Sequence, residues 1–174
     1  MPSIVVLSGN PRAASRTTLV AEHLARAVAD IIPAPVRTVE LADAGSRVLQ
    51  HGDPSVAELR EVVASAALLI VATPVYKGSY TGLLKAFLDG FGPTSLQGVA
   101  AVPVVVAASP AHLAIAGEFH LRPLLHEIGA QTPLGVLAVA EAQAGEASER
   151  AALVDAWVGE RRHLLGALRT GALA

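Results

Sequence analysis

The chain has 174 residues, 52% of them apolar and 16% charged, with no cysteine and a formal net charge of −2. That length suits one domain with a sizeable core, and that apolar fraction excludes intrinsic disorder. The near-neutral balance argues against nucleic acid or an anionic membrane as the main partner, and the lack of cysteine excludes disulfides and thiolate chemistry and suits a cytoplasmic protein.

Ile4–Leu7 reads as a buried strand; no basic residue precedes it, so a signal peptide is not expected. Ser15–Ala29 follows as a helix with Leu19, Val20, Leu24, Ala27 and Val28 on one face. Val36–Leu41 alternates like a strand, and Gly45–Asp53 is the loosest interior stretch. Asp53-Pro54-Ser55 then opens a helix over Val56–Ala66. Leu68–Ala72 is the third strand. Thr81–Phe91 is a helix with Leu83, Leu84, Phe87, Leu88 and Phe91 on more than one face. That excess predicts a partner helix from a second copy. The longest apolar run, Val99–Ala108, is too short to cross a membrane and holds the fourth strand, Val102–Ala108. His112–Ile128 is helical in pattern, with Gly117 and Pro123 interrupting it. Leu134–Val139 is a weaker fifth strand, Ala140–Ala147 a hinge, and a C-terminal helix occupies about 148–169.

This alternation predicts an α/β fold in a single domain over residues 1–174. Its expected core is a doubly wound five-stranded parallel sheet of order 2-1-3-4-5, with helices on both faces. Ligands of such sheets bind at the carboxyl ends of the strands, so the corners after strands one, three and four are the places to look. The first corner runs from Ser8-Gly9-Asn10-Pro11-Arg12 to Ser15-Arg16-Thr17-Thr18. Ser15 caps the helix, the next N–H groups are free, and Arg12 and Arg16 add positive charge; this is an anion site for one terminal phosphate. It is neither a Walker loop nor GxGxxG.

The second corner, Thr73-Pro74-Val75-Tyr76-Lys77-Gly78-Ser79-Tyr80, holds both tyrosines of the chain. It offers backbone groups to a ligand edge and a flat face from Tyr76 or Tyr80. The third, Ala107-Ala108-Ser109-Pro110-Ala111-His112, is small enough for close approach. Together they suit a phosphate-bearing, flat heteroaromatic ligand, which FMN fits better than a nucleoside triphosphate. The six histidines show no metal-ligand spacing, so no metal is expected.

Leu7-Ser8-Gly9-Asn10-Pro11-Arg12 with Ser15-Arg16-Thr17, and Ala72-Thr73-Pro74-Val75-Tyr76-Lys77 with Tyr80-Thr81-Gly82, resemble the NAD(P)H-dependent FMN reductases. The branch most similar is the one that serves alkanesulfonate monooxygenases. The resemblance implies a flavodoxin-like fold, FMN at the interface of a homodimer or, as a dimer of dimers, a homotetramer, NADPH (or NADH) as hydride donor to flavin N5, and reduced FMN passed to a monooxygenase. It places the phosphate at Asn10, Arg12, Ser15, Arg16 and Thr17, and the ring edge at Pro74, Val75, Tyr76, Lys77 and Gly78. Ser8 at the start of the first corner, and Ala108, Ser109 and His112 in the third, complete the expected cofactor-binding set. No side chain is a nucleophile; Lys77 is a candidate electrostatic helper.

The chain departs from the branch at Asn10, where Ser is common, and at Ala107-Ala108, where a Gly-Gly pair is common; two methyl groups narrow the ring slot. The branch also carries a π-bulge in its fourth helix. Here Gly117 and Pro123 favour an ordinary break instead. Two alternatives compete: a reductase that retains FMN and acts on a quinone or azo compound, and a flavodoxin-type electron carrier. The carrier is disfavoured by the near-neutral surface and the scarcity of aromatics.

Overall fold

Four apolar runs and the alternating segment that opens at Val36 become strands β1 (Ser3–Ser8), β2 (Val36–Glu40), β3 (Ala66–Pro74), β4 (Ala100–Ala107) and β5 (Leu137–Ala140). The computed structural model describes residues 3–170; the single-domain span expected from the sequence extends past them at both ends. All four pairings are parallel, and the sheet order is β2-β1-β3-β4-β5, as the alternation predicts. The order reverses between β1 and β3, whose carboxyl ends Ser8 and Ala72–Pro74 lie side by side. Pro103, unable to donate, sits in β4 one step below the first pair that β4 makes with β5, Val104–Leu137.

Helices cover both faces: α1 (Arg16–Ala29), α2 (Leu41–Ala44), α3 (Pro54–Ala64), α4 (Gly82–Leu88), α5 (Pro110–Ala114), α6 (Arg122–Glu127), α7 (Glu141–Gly145), α8 (Ala147–Glu160) and α9 (Arg162–Arg169). Strand residues alternate between two cores. Val5, Leu7, Leu69 and Val71 meet α3, α4 and α6; Ile4, Val6, Leu68 and Ile70 meet α1, α8 and α9. Of the loose stretch Gly45–Asp53, which follows α2, the first part is ordered as a 3₁₀ turn over Gly45–Leu49. At the start of α3, Asp53 accepts the Val56 N–H at 3.1 Å and the Ser55 hydroxyl at 2.6 Å; these bonds hold its carboxyl below the usual aspartate range.

Two expectations are corrected. The segment from Pro110 to Glu127 is not broken: Ile115–Leu121 is a π-helical turn that joins α5 to α6. Pro123 lacks an N–H and its ring crowds the carbonyl four residues back, and a widened turn lets the helix run through that defect. Gly117 serves packing rather than termination, since a Cβ there would lie 2.7 Å from Val136 Cγ1 and 3.3 Å from Val105 Cγ2.

The helix expected at about 148–169 is two helices, parted at Arg161. That side chain donates from Nε to the Leu134 carbonyl at 2.8 Å and lies 4.2 Å from the Trp157 ring centroid. Within the chain, α4 buries one apolar face fully and a second only in part. Leu84, Phe87 and Leu88 are fully buried, while Leu83 and Phe91 are partly buried against the same core. Among the described residues, the large apolar side chains left most exposed are Leu49 and Phe119, at 76% and 72%.

Gly166 lies inside α9 with open space where a Cβ would go. Gly166→Ala is expected to stabilise the fold by about 0.5–1 kcal/mol, since alanine loses less backbone freedom in a helix. Urea denaturation with an unchanged slope and a higher midpoint would show it.

Candidate functional site

The first corner is built from side chains that serve the backbone. Asn10 is nearly buried; its Oδ1 accepts the Arg12 N–H at 2.9 Å, and its Nδ2 donates to Thr17 Oγ1 at 3.3 Å. Ser15 caps α1, its Oγ accepting the Thr18 N–H at 3.2 Å. The next two N–H groups, of Arg16 and Thr17, have no protein acceptor among the described residues, as expected of the first helical positions. Those donors, the helix dipole and two guanidinium groups make a place for an anion.

Ser8 sits deeper. It is fully buried, and its hydroxyl shares a 2.8 Å hydrogen bond with Thr18 Oγ1. Ala14 takes a left-handed backbone, φ 50°, and its N–H donates to both carboxylate oxygens of Glu40 at 3.1 Å. The Thr18 hydroxyl donates to Glu40 Oε1 at 2.5 Å.

The second corner is a tight hairpin. Tyr76 and Ser79 exchange two backbone hydrogen bonds, at 2.8 and 3.2 Å, around Lys77 (φ 53°) and Gly78 (φ 81°). Two consecutive positive φ values match the twist of such a turn; glycine adopts one freely, and Lys77 bears the strain. Lys77 is exposed at the apex. Thr81 ties this corner to the first: it caps α4 by accepting the Leu84 N–H at 3.1 Å and donates its hydroxyl to the Gly9 carbonyl at 2.6 Å. In the third corner Ser109 is the N-cap residue of α5 without a side-chain bond, and His112 is exposed in the first turn.

The corners converge on one cleft of about 550 Å³, within the range of small-molecule sites. Asn10, Arg12, Ser15, Arg16 and Thr17 line one side, Pro74, Val75 and Tyr76 another, and Val106, Ala107, Ala108 and His112 a third. Of the residues singled out from the sequence, Ser8, Lys77, Gly78 and Ser109 do not line it: Ser8 lies beneath the corner, and the other three belong to the hairpin apex and the α5 cap. The polar and charged groups gather at the α1 end, and apolar and backbone surface forms the opposite wall. The free N–H donors of α1 and a cleft of this volume fit a phosphate-bearing ligand such as FMN, and Ala107 and Ala108 are among the lining residues.

Two acids escaped the sequence reading. Glu40 ends β2 and Glu141 follows β5, so a parallel sheet delivers both to the same end as the corners. Glu141 lines the cleft and forms an ion pair with Arg16; Arg12 has no carboxylate partner among the described residues. No group of three metal-ligating side chains occurs among the described residues. A second cavity, about 160 Å³, lies at the amino ends of the strands. Apart from Gln131 its lining side chains, such as Ile4, Ile32 and Leu168, are apolar or absent, so it offers nothing to a phosphate.

Known proteins are similar to this chain over most of its length. The family model for NADPH-dependent FMN reductases matches residues 2–144. The NADH-dependent FMN reductase SfnF of Pseudomonas putida is 37% identical, covering 80% of this chain and 78% of its own. An FMN reductase (NADPH) of Escherichia coli K12 is 34% identical, covering 78% and 72%. Among solved structures, the apo form of the NADH:FMN oxidoreductase EMOB superposes with a TM-score of 0.80 at 32% identity, covering 94% of this chain and 90% of that one. Because the matched span takes in all three corners and the sheet that sets them, the chain belongs to the NADPH-dependent FMN reductase family.

Proposed function

We propose that this protein is an NAD(P)H:FMN oxidoreductase that takes up FMN, reduces it and releases it to a flavin-dependent monooxygenase in the cytoplasm. The observation that carries this reading is the cleft at the β1/β3 reversal, with free anion donors at one end and a half-open apolar wall at the other. When bound, FMN supplies the hydride chemistry, accepting from a nicotinamide, and the protein has only to hold and orient the two partners.

The N–H groups of Arg16 and Thr17 and the Ser15 hydroxyl hold the phosphate end in this reading. Pro74, Val75 and Tyr76 place the ring edge, with the bare Ala107-Ala108 backbone beside it. Lys77 and His112, both exposed, lend charge and a polar face to the mouth. Arg12, free of a carboxylate, is available to a second phosphate. Curated relatives are named for NADH in one case and NADPH in the other, so either donor is within the reach of this site. Tyr76 is 48% exposed and, among the described residues, no other Phe, Tyr or Trp lines the cleft, so a flavin ring there is not sealed in and can exchange.

Function as a homodimer or homotetramer is part of the proposal. Beside the first corner, Pro11, Ala42, Leu49 and Leu83 line a shallow apolar groove, and Phe119 and Ile115 stand out from the π-helical turn. Among the described residues no helix is long and apolar enough to cross a membrane, and another copy of the chain is the natural cover for these patches.

The test is turnover with free flavin. NADH or NADPH oxidation is expected to rise with added FMN and saturate, with FMN lost from the protein on gel filtration. Flavin that stays bound, with oxidation that needs a quinone or azo acceptor, would overturn the exchange reading.

A further inference from the structure

Two carboxylates reach into the anion corner, and they are held differently. Glu40 accepts the Ala14 N–H with both oxygens and the Thr18 hydroxyl with one, so it is part of the loop's framework. Glu141 has a single partner there, the Arg16 guanidinium, across 125 residues of sequence. Both members of that pair are about half exposed, at 53% for Arg16 and 46% for Glu141. Arg16 reaches its partner by lying along α7, where its Cδ passes within ordinary contact of the space a Gly145 Cβ would fill. Glu141 also lines the cleft itself.

An exposed ion pair contributes little and breaks readily, whereas a carboxylate beside a doubly charged phosphate repels it. From this we infer that Glu141 is a built-in competitor for the flavin phosphate at Arg16, which lowers FMN affinity and favours release. The inference rests on the proposed FMN reading and adds an affinity-setting residue to it. When a phosphate monoester enters, Arg16 leaves Glu141 for the phosphate oxygens, and the freed carboxylate turns to solvent. When the flavin leaves, Glu141 recaptures Arg16, so the corner does not stand open to any passing anion. No proton or electron moves in this exchange. Riboflavin has no phosphate and does not meet the competitor.

The experiment is equilibrium binding of FMN and riboflavin, read by flavin fluorescence, with inorganic phosphate as a competing probe. It compares the natural chain, Glu141→Gln, Glu141→Ala, Arg16→Ala and the Arg16→Ala/Glu141→Gln pair. Glu141→Gln is expected to tighten FMN about tenfold and riboflavin less than twofold, as loss of one pair and one repulsion predicts. Glu141→Ala should act in the same direction, and inorganic phosphate should compete better against FMN in both variants. In the Arg16→Ala background the gain should shrink to the part owed to repulsion alone, the signature of two residues coupled through one contact.

The outcomes separate the two claims. Equal affinity of the natural chain for FMN and riboflavin would remove the phosphate corner and this inference with it. A natural preference for FMN that Glu141→Gln and Glu141→Ala leave unchanged or reduce would overturn the competitor alone. Unchanged thermal melting of the variants shows that the fold is intact.

Discussion

Replacing Arg16 and Ser15 together by alanine is expected to weaken FMN about 100-fold while shifting riboflavin by less than about threefold. The guanidinium and the Ser15 hydroxyl sit where α1 presents the unpartnered N–H groups of Arg16 and Thr17. A charge-assisted hydrogen bond to phosphate contributes about 1.5–3 kcal/mol, but the net loss is smaller because Arg16 first has to leave Glu141. The Ser15 substitution also removes the α1 cap, which costs the fold about 1 kcal/mol. Riboflavin binding is the control for that structural part, because a distorted cleft weakens both flavins. Parallel loss of the two would mean that the phosphate does not sit at this corner.

The corners were readable because their residues are contiguous in the chain. Asn10, Arg12, Ser15, Arg16 and Thr17 lie in one loop-to-helix turn, and the apolar runs on either side place that turn at a strand end. The sheet order was equally readable, since strands covered on both faces need nearly continuous Val, Ile and Leu, and few topologies connect them at this length. Glu40 and Glu141 were not. Each is a single acid at a strand end, with no local pattern to mark it, and it reaches the corner only through the sheet.

The π-helical turn was missed for a different reason. Gly117 and Pro123 are breakers by propensity, but Gly117 is where the helix packs against Val136 and Val105, and tertiary contact outweighed the local preference. The break at Arg161 is likewise set from outside the helix, by the Leu134 carbonyl, which leaves no mark on the local sequence. Ser8 is polar and stands in the first corner, yet its hydroxyl is spent on Thr18 beneath the loop. A residue type at a good position does not fix the direction in which its side chain points.

Gly9→Ala is expected to be the most damaging small substitution near the site. A Cβ there would lie 2.6 Å from Leu84 Cβ and 3.1 Å from Leu84 Cγ and Cδ2. Leu84 is fully buried in α4, and its Cβ is fixed to the helix backbone, so a rotamer change cannot clear it. Gly9 cannot retreat either, because its N–H donates to the Ala72 carbonyl at 2.7 Å and its own carbonyl accepts the Thr81 hydroxyl at 2.6 Å. Either the helix moves or the two bonds stretch, and overpacking of this kind costs about 3 kcal/mol. For a chain of this size that corresponds to a melting temperature lower by about 6–12 °C. Thr81 caps α4 and anchors the second corner, so the same displacement moves Pro74–Tyr76 away from the α1 elbow. FMN and riboflavin should therefore weaken together, in contrast to the Arg16 and Ser15 pair, which spares riboflavin. A melting temperature within about 2 °C of the natural chain, a shift that corresponds to less than 1 kcal/mol, would show that β1 and α4 are not in the contact on which the cleft depends.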